Sequence, residues 1–188
     1  MSRPIPTLDQ RHFTVDEYHR MAETGILAPD ERVELIRGVI RKMSPKNRAH
    51  VIAAALVHDL LRDALKGLAS VYPEAPLVAE EIDSEPQPDV MVCSNPDTRT
   101  YGTARTRPLL IVEIADSSVE YDLKEKASLY ATAGIPEYWV VNLVDRVLLV
   151  FRKPGRGAYE VRLPLSGGES VSPEAWPNLA FEVSSLFP

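Results

Sequence analysis

The chain has 188 residues, 45% of them hydrophobic, with 21 Lys plus Arg against 27 Asp plus Glu for a net charge of −6. That is enough apolar sequence for one domain with a sizeable core, which excludes a disordered chain. The acidic balance counts mildly against bulk-charge binding to nucleic acid, yet leaves room for a nuclease whose own carboxylates add to the negative total.

The single Cys93 excludes an internal disulfide and any cysteine-based zinc cluster. No stretch has the length and apolarity of a membrane span, and the N-terminus lacks the apolar core of a signal peptide, so a cytoplasmic protein is expected. Residues 1–12 read as a flexible arm ahead of one domain over 13–188.

FTVDEYHRMAE (13–23) predicts a short helix, with Thr14 as N-cap, Glu17 at the capping-box position and Phe13 as a staple. GILAPDE (25–31) connects it to ERVELIRGVIRKM (31–43), two β-rich halves around Arg37 and Gly38 that suggest a hairpin. RAHVIAAALVHDLLRDALKG (48–67) spaces its apolar residues at the helical period and stops at Gly67. Short strands are expected at 70–72 and 76–82. The strongest strand signals are QPDVMVCS (87–94) and PLLIVEIA (108–115), joined by a polar, turn-rich loop.

DLKEKASLYATAG (122–134) predicts a helix closed at Gly134. EYWVVNL (137–143) and RVLLVFRK (146–153) flank a turn and offer either an apolar edge or core. The closing segment reads as short strands, with Trp176, Leu179, Phe181 and Phe187 packing on the body. The element order makes an α/β or α+β domain.

Acids interrupt these apolar runs. Asp89 opens VMV after Pro88, and Glu113 stands within IVEIA. Each alone reads as a turn residue or a solvated strand end. On neighbouring strands they would share one cleft, where burial is costly unless the carboxylates are paired or metal-bound. Magnesium suits such a pair, since it takes hard oxygen ligands and few protein carboxylates. Glu34 lies opposite its neighbours Val33 and Leu35 on a strand, either exposed or a third acid of the site. Asp122, Lys126 and Tyr130 recur at spacings of four, so they form one stripe, either along the cleft or as a surface ion pair beside a packed tyrosine. Arg99, Arg105, Arg107, Lys124 and Lys126 read either as a basic rim or as part of a solvated mixed surface. His12, His19, His50 and His58 form no close ligand motif, and His50 and His58 read as core-edge packing. Ser117 and Ser118 lack a partnered histidine and read as capping or loop residues. Glycine-rich phosphate loops are absent.

Taken together, VELIRG (33–38), QPDVMV (87–92), LLIVEIADSS (109–118) and above all DLKEKASLYATAGIPEYWVVN (122–142) resemble the Uma-type, restriction-endonuclease-like family of the PD-(D/E)XK phosphodiesterase superfamily, over about residues 13–187. The resemblance implies a mixed central β-sheet flanked by helices and a magnesium-dependent nuclease acting on DNA, with manganese as a substitute. It matches Asp89, Glu113, Glu34 and Lys126 to the family's site, with Asp122 and Tyr130 around the lysine. Asp89 and Glu113 would hold the metal, joined by the carbonyl of Ile114. Lys126 would orient the attacking water. The chain departs from the superfamily at Ala115, where a lysine is usual, so that role falls to Lys126 or Lys124. It also departs at Arg37, Val39 and Asn142. The competing expectation is a nuclease-fold protein, weak or inactive in catalysis, that acts as a binding or structural dimer. A homodimer is expected by family analogy.

Overall fold

The structure, a computed structural model, describes residues 10–103 and 107–188. Most of the expected N-terminal arm and Arg105 of the basic rim lie outside them. The described chain divides into two compact units, one of Met1–Ser44 with Leu77–Pro86, the other of Pro45–Pro76 with Gln87–Pro188.

In the first unit, α1 (Val15–Glu23) starts as its capping residues dictate. Thr14 accepts from the Glu17 amide, and the Glu17 carboxylate accepts from the Thr14 amide. Strands β1 (Val33–Ile36) and β2 (Val39–Lys42) form an antiparallel hairpin with Ile36 opposite Val39. Arg37 and Gly38, at φ +50° and +76°, make its two-residue turn, the left-handed pair that fits strand twist. Gly38 is required twice over, because a Cβ there would lie 2.5 Å from the His12 Cβ.

The strand expected over 76–82 does not form. Leu77 and Ala79 donate instead to Pro86 and Ser84 at 2.9 and 2.8 Å, folding the segment back on itself around a 3₁₀ turn at Glu80–Ile82. Glu85 then pairs with Leu35 of β1 as an isolated bridge.

The second unit is built on a six-stranded mixed sheet in the order β3-β4-β5-β6-β7-β8. Its strands are β3 (Ser70–Pro73), β4 (Val90–Cys93), β5 (Pro108–Ala115), β6 (Glu137–Asn142), β7 (Val147–Pro154) and β8 (Tyr159–Leu165). β4 starts later than the expected strand over 87–94, because Pro88 has no amide to give a ladder. Only β5 and β6 are parallel. A parallel pair needs a crossover, made here by α3 (Val119–Tyr121), a π-helical turn at Asp122–Lys126 and α4 (Ala127–Thr132). The expected helix over 122–134 thus begins earlier and contains a wide turn. It closes in a Schellman arrangement, with Gly134 at φ +72° and Ile135 donating to Tyr130 at 3.0 Å.

Successive strand residues face opposite sides of a sheet. α2 (Arg48–Ala64) covers one side, burying Ala53, Val57 and Leu61 against Val90, Val92, Leu110, Val112, Ile114, Trp139 and Val141. Each fully buried leucine contributes about 1.5–3 kcal/mol. The tail closes the same core through Phe181, Val183, Leu186 and Phe187, with Trp176 and Leu179 partly buried against it; β9 (Ser170–Val171) pairs there with β10 (Phe181–Glu182). Tyr138 on the other side meets Tyr130 of α4 with ring centroids 5.0 Å apart. The apolar run through 140–153 is interior sheet, since β6 and β7 are flanked by β5 and β8, and it forms no edge for a partner.

Candidate active site

Strands β4 and β5 pair antiparallel with Val90 opposite Val112, so one further step places Asp89 opposite Glu113. Both acids are buried, at 5% and 6% exposure. Each grips the backbone of the other's strand. The Ile114 amide donates to Asp89 Oδ2 at 2.8 Å, and the Asp89 amide donates to Glu113 Oε2 at 3.3 Å.

Their remaining oxygens are held from different helices. Lys126 of the π-helical turn lies with Nζ 3.3 Å from Glu113 Oε1, and the Tyr130 hydroxyl donates to the same oxygen at 2.7 Å. Asp122, Lys126 and Tyr130 are all buried, so the stripe faces inward rather than to solvent. A π-helical turn is a local widening that recurs at functional sites. Ser118 donates to Asp122 Oδ2 at 2.5 Å and Tyr138 to the Asp122 carbonyl at 3.1 Å, which fixes the start of that turn.

On the Asp89 side the donors are two residues that the sequence reading did not assign to a site. Lys46 Nζ and His50 Nε2 contact Asp89 Oδ1 at 2.7 and 2.9 Å. Lys46 also contacts Glu74 at 2.7 Å. Asn47 caps α2 by accepting from the His50 amide at 3.0 Å, and its side chain also donates to Asp116 just beyond β5. That tether brings the helix start to the end of the acidic strand. The signal in the sequence was PKNRAH, an N-cap followed by a histidine in the first helical turn. The eight-residue spacing to His58 pointed instead to packing, and His58 is half-buried and contacts the neighbouring Asp59 at 3.2 Å.

Burial pushes the Asp89 carboxyl up, but His50 and Lys46 outweigh it and hold the group below its ordinary value. Burial pushes Lys46 down, yet Asp89 and Glu74 raise it overall. Glu113 goes the other way. Burial raises it to about 8, opposed by Lys126 and reinforced by Asp89 and Asp122. The two acids therefore differ: Asp89 is held as an anion, while Glu113 retains its proton more readily.

Of the other candidates, Lys124 is exposed and pairs with Glu120 at 2.7 Å, so Lys126 is the lysine that meets the acids. Ala115 is fully buried. Arg99 is exposed and engaged by Asp97 at 2.8 Å. Asn142 accepts from the Val144 and Asp145 amides at 3.0 and 3.2 Å, serving the turn into β7. Glu34 belongs to the first unit, buried on β1 with Arg41 as its cross-strand partner.

The oxygens present suit a hard dication. Asp89 and Glu113 offer carboxylates from adjoining strands. In an extended strand the amide and carbonyl of one residue face the same edge, so the Ile114 carbonyl turns toward β4 as its amide does. Among the described residues, no group of three or more His, Cys, Asp or Glu side chains is placed to hold a metal ion. No helix among them is long and apolar enough to cross a membrane.

Comparison with known proteins agrees with this architecture. The family described as "Uma2: Putative restriction endonuclease" matches residues 15–184. A crystal structure described as a putative nuclease belonging to DUF820, from Anabaena variabilis, superposes with a TM-score of 0.73 at 15% identity, covering 93% of this chain and 97% of that one. Among curated proteins none matches. At that identity the likeness to the solved structure carries the fold, and the family match spans nearly the whole sequence. The chain belongs to the Uma2/DUF820 restriction-endonuclease-like family, within the PD-(D/E)XK superfamily.

Proposed function

We propose that the Asp89–Glu113 pair is a phosphodiester-handling centre of the nuclease type, acting on DNA, that its own cations hold in a weakly hydrolytic state. The observation that carries this reading is the placement of two buried carboxylates side by side, with Lys126 against one and Lys46 and His50 against the other. Asp89, Glu113 and the Ile114 carbonyl are the groups that would hold magnesium, or manganese in its place. Bound there, the ion would supply Lewis-acid polarisation of a phosphoryl oxygen and a more acidic water.

The protein's own residues do the rest. Lys126, anchored on Glu113, orients the attacking water and offsets charge developing on the phosphate. Tyr130 fixes the Glu113 carboxylate through its hydrogen bond. For Asp89 to act as a ligand, its Oδ1 must first give up the close Lys46 ammonium, which is why slow hydrolysis is the expected behaviour.

The purified protein should nick DNA slowly with magnesium or manganese, and Asp89→Asn and Glu113→Gln should each abolish the activity. Cleavage that survives either change sinks the assignment. A second reading has its own support, because the carboxylates are already neutralised from within, Glu113 by Lys126 and Asp89 by Lys46. In it the protein binds DNA or assembles as a dimer without cutting. A DNA mobility shift without cleavage, together with no magnesium binding by calorimetry, would establish that reading.

A further inference from the structure

We infer that Lys46 and His50, at the start of α2, are positioning residues of this centre, and that Lys46 acts as a built-in competitor that sets the dication concentration at which Asp89 becomes available. The inference rests on the reading of Asp89 as a metal ligand and adds residues and a control to it.

Lys46 Nζ lies 2.7 Å from Asp89 Oδ1, within direct ion-pair contact, and its side chain is only 13% exposed. A hard cation and an ammonium cannot both take that oxygen at close range. The contact is also built rather than incidental. Lys46 immediately precedes the Asn47 cap of α2, and Asn47 is itself tied to Asp116 beyond β5. The Glu74 carboxylate, 51% exposed, holds the same ammonium at 2.7 Å. Glu74 is fixed in turn by its amide, which donates to the Asp89 carbonyl at 3.1 Å.

Lys46 therefore has somewhere to go. On release from Asp89 it stays on Glu74, beside the centre and near water, rather than being stranded in the interior. Among the described residues, no second carboxylate holds His50 in this way. Its ring reaches Asp89 from the first turn of a helix held by the core residues Ala53, Val57 and Leu61. Its part is to keep the carboxylate oriented while Lys46 exchanges, as hydrogen-bond partners of metal ligands do.

The test is dication binding itself, read without turnover. Manganese binding is measured by electron paramagnetic resonance, and magnesium binding by calorimetry, for wild type, Lys46→Gln, Lys46→Arg and Asp89→Asn. Lys46→Gln should bind about tenfold more tightly, the scale on which partners of a metal ligand move affinity. Lys46→Arg, which restores the charge, should return affinity toward wild type, a rescue that a packing role would not show. Asp89→Asn should lose binding.

If Asp89→Asn loses binding while Lys46→Gln binds no more tightly than wild type, the competitor role is overturned and the metal site stands. If Asp89→Asn binds as wild type does, the metal assignment falls and the inference with it. A manganese-soaked crystal of the wild-type protein tests the same exchange should Lys46→Gln fail to fold. Manganese on Asp89 with Lys46 moved onto Glu74 alone supports it, and Lys46 still in contact with Asp89 Oδ1 beside bound manganese overturns it.

Discussion

Replacing Asp89 with alanine removes an acceptor shared by Lys46 at 2.7 Å, His50 at 2.9 Å and the Ile114 amide at 2.8 Å. The three losses are unequal. The Lys46 and His50 side chains are 13% and 15% exposed, and Lys46 keeps Glu74, so water and that carboxylate take up what Asp89 gave. With those replacements at hand, each of the two contacts is worth about 0.5–1.5 kcal/mol. The amide of Ile114 belongs to a residue only 1% exposed. Left without its acceptor, such a donor costs about 1–3 kcal/mol.

One gain offsets part of this, since Asp89 repels the Glu113 carboxylate across the strand pair. The net expectation is a loss of about 2–3 kcal/mol for Asp89→Ala. Asp89→Asn retains an oxygen for the Ile114 amide and should lose only about 1 kcal/mol. With a urea slope of about 1–3 kcal/mol/M, alanine should lower the unfolding midpoint by about 1 M and asparagine by less than half of that. Equal midpoints for the two variants would refute the assignment of the main cost to the strand amide. The same arithmetic makes asparagine the better substitution for binding and cleavage assays.

Glu137 is 1% exposed and accepts from the Trp139 indole at 2.8 Å, from Arg152 at 2.7 and 2.9 Å and from the Glu174 amide at 2.6 Å. Glu137→Leu should destabilise the protein by about 3–5 kcal/mol, because it strands the Arg152 charge; a shift below 1 kcal/mol in urea unfolding would contradict this. The Glu113 carboxyl, raised by burial from 4.5 to about 8, keeps its proton in the folded protein over a range where the unfolded chain has lost it. Its contribution to stability is therefore largest at low pH and declines as pH rises from about 4.5 through about 8. A dication needs the ionised form, so magnesium affinity should rise between about pH 7 and 9 in the wild type. Glu113→Gln should lack that rise, and a flat wild-type profile in calorimetry would count against Glu113 as a ligand.

Local chemistry alone determined much of this protein. Thr14 and Glu17 specify the α1 cap, Arg37 and Gly38 a two-residue hairpin turn, and the apolar run of 108–115, broken only by Glu113, a central strand, because each depends on neighbours a few residues away. The pairing of Asp89 with Glu113 was legible for a related reason, since two acids set in apolar strands need a common explanation. The inward stripe of Asp122, Lys126 and Tyr130 was legible as a spacing, but its direction was not, because periodicity does not say which side faces the sheet.

What only the tertiary structure decided are relations between residues far apart in the chain. Strand register brought Asp89 opposite Glu113, and the π-helical turn aimed Lys126 rather than Lys124 at them. The docking of α2 delivered Lys46 and His50 across 43 and 39 residues of sequence. A lysine before a helix cap looks solvated in sequence; packing of α2 on the sheet is what leaves its side chain only 13% exposed and makes Asp89 its counter-ion.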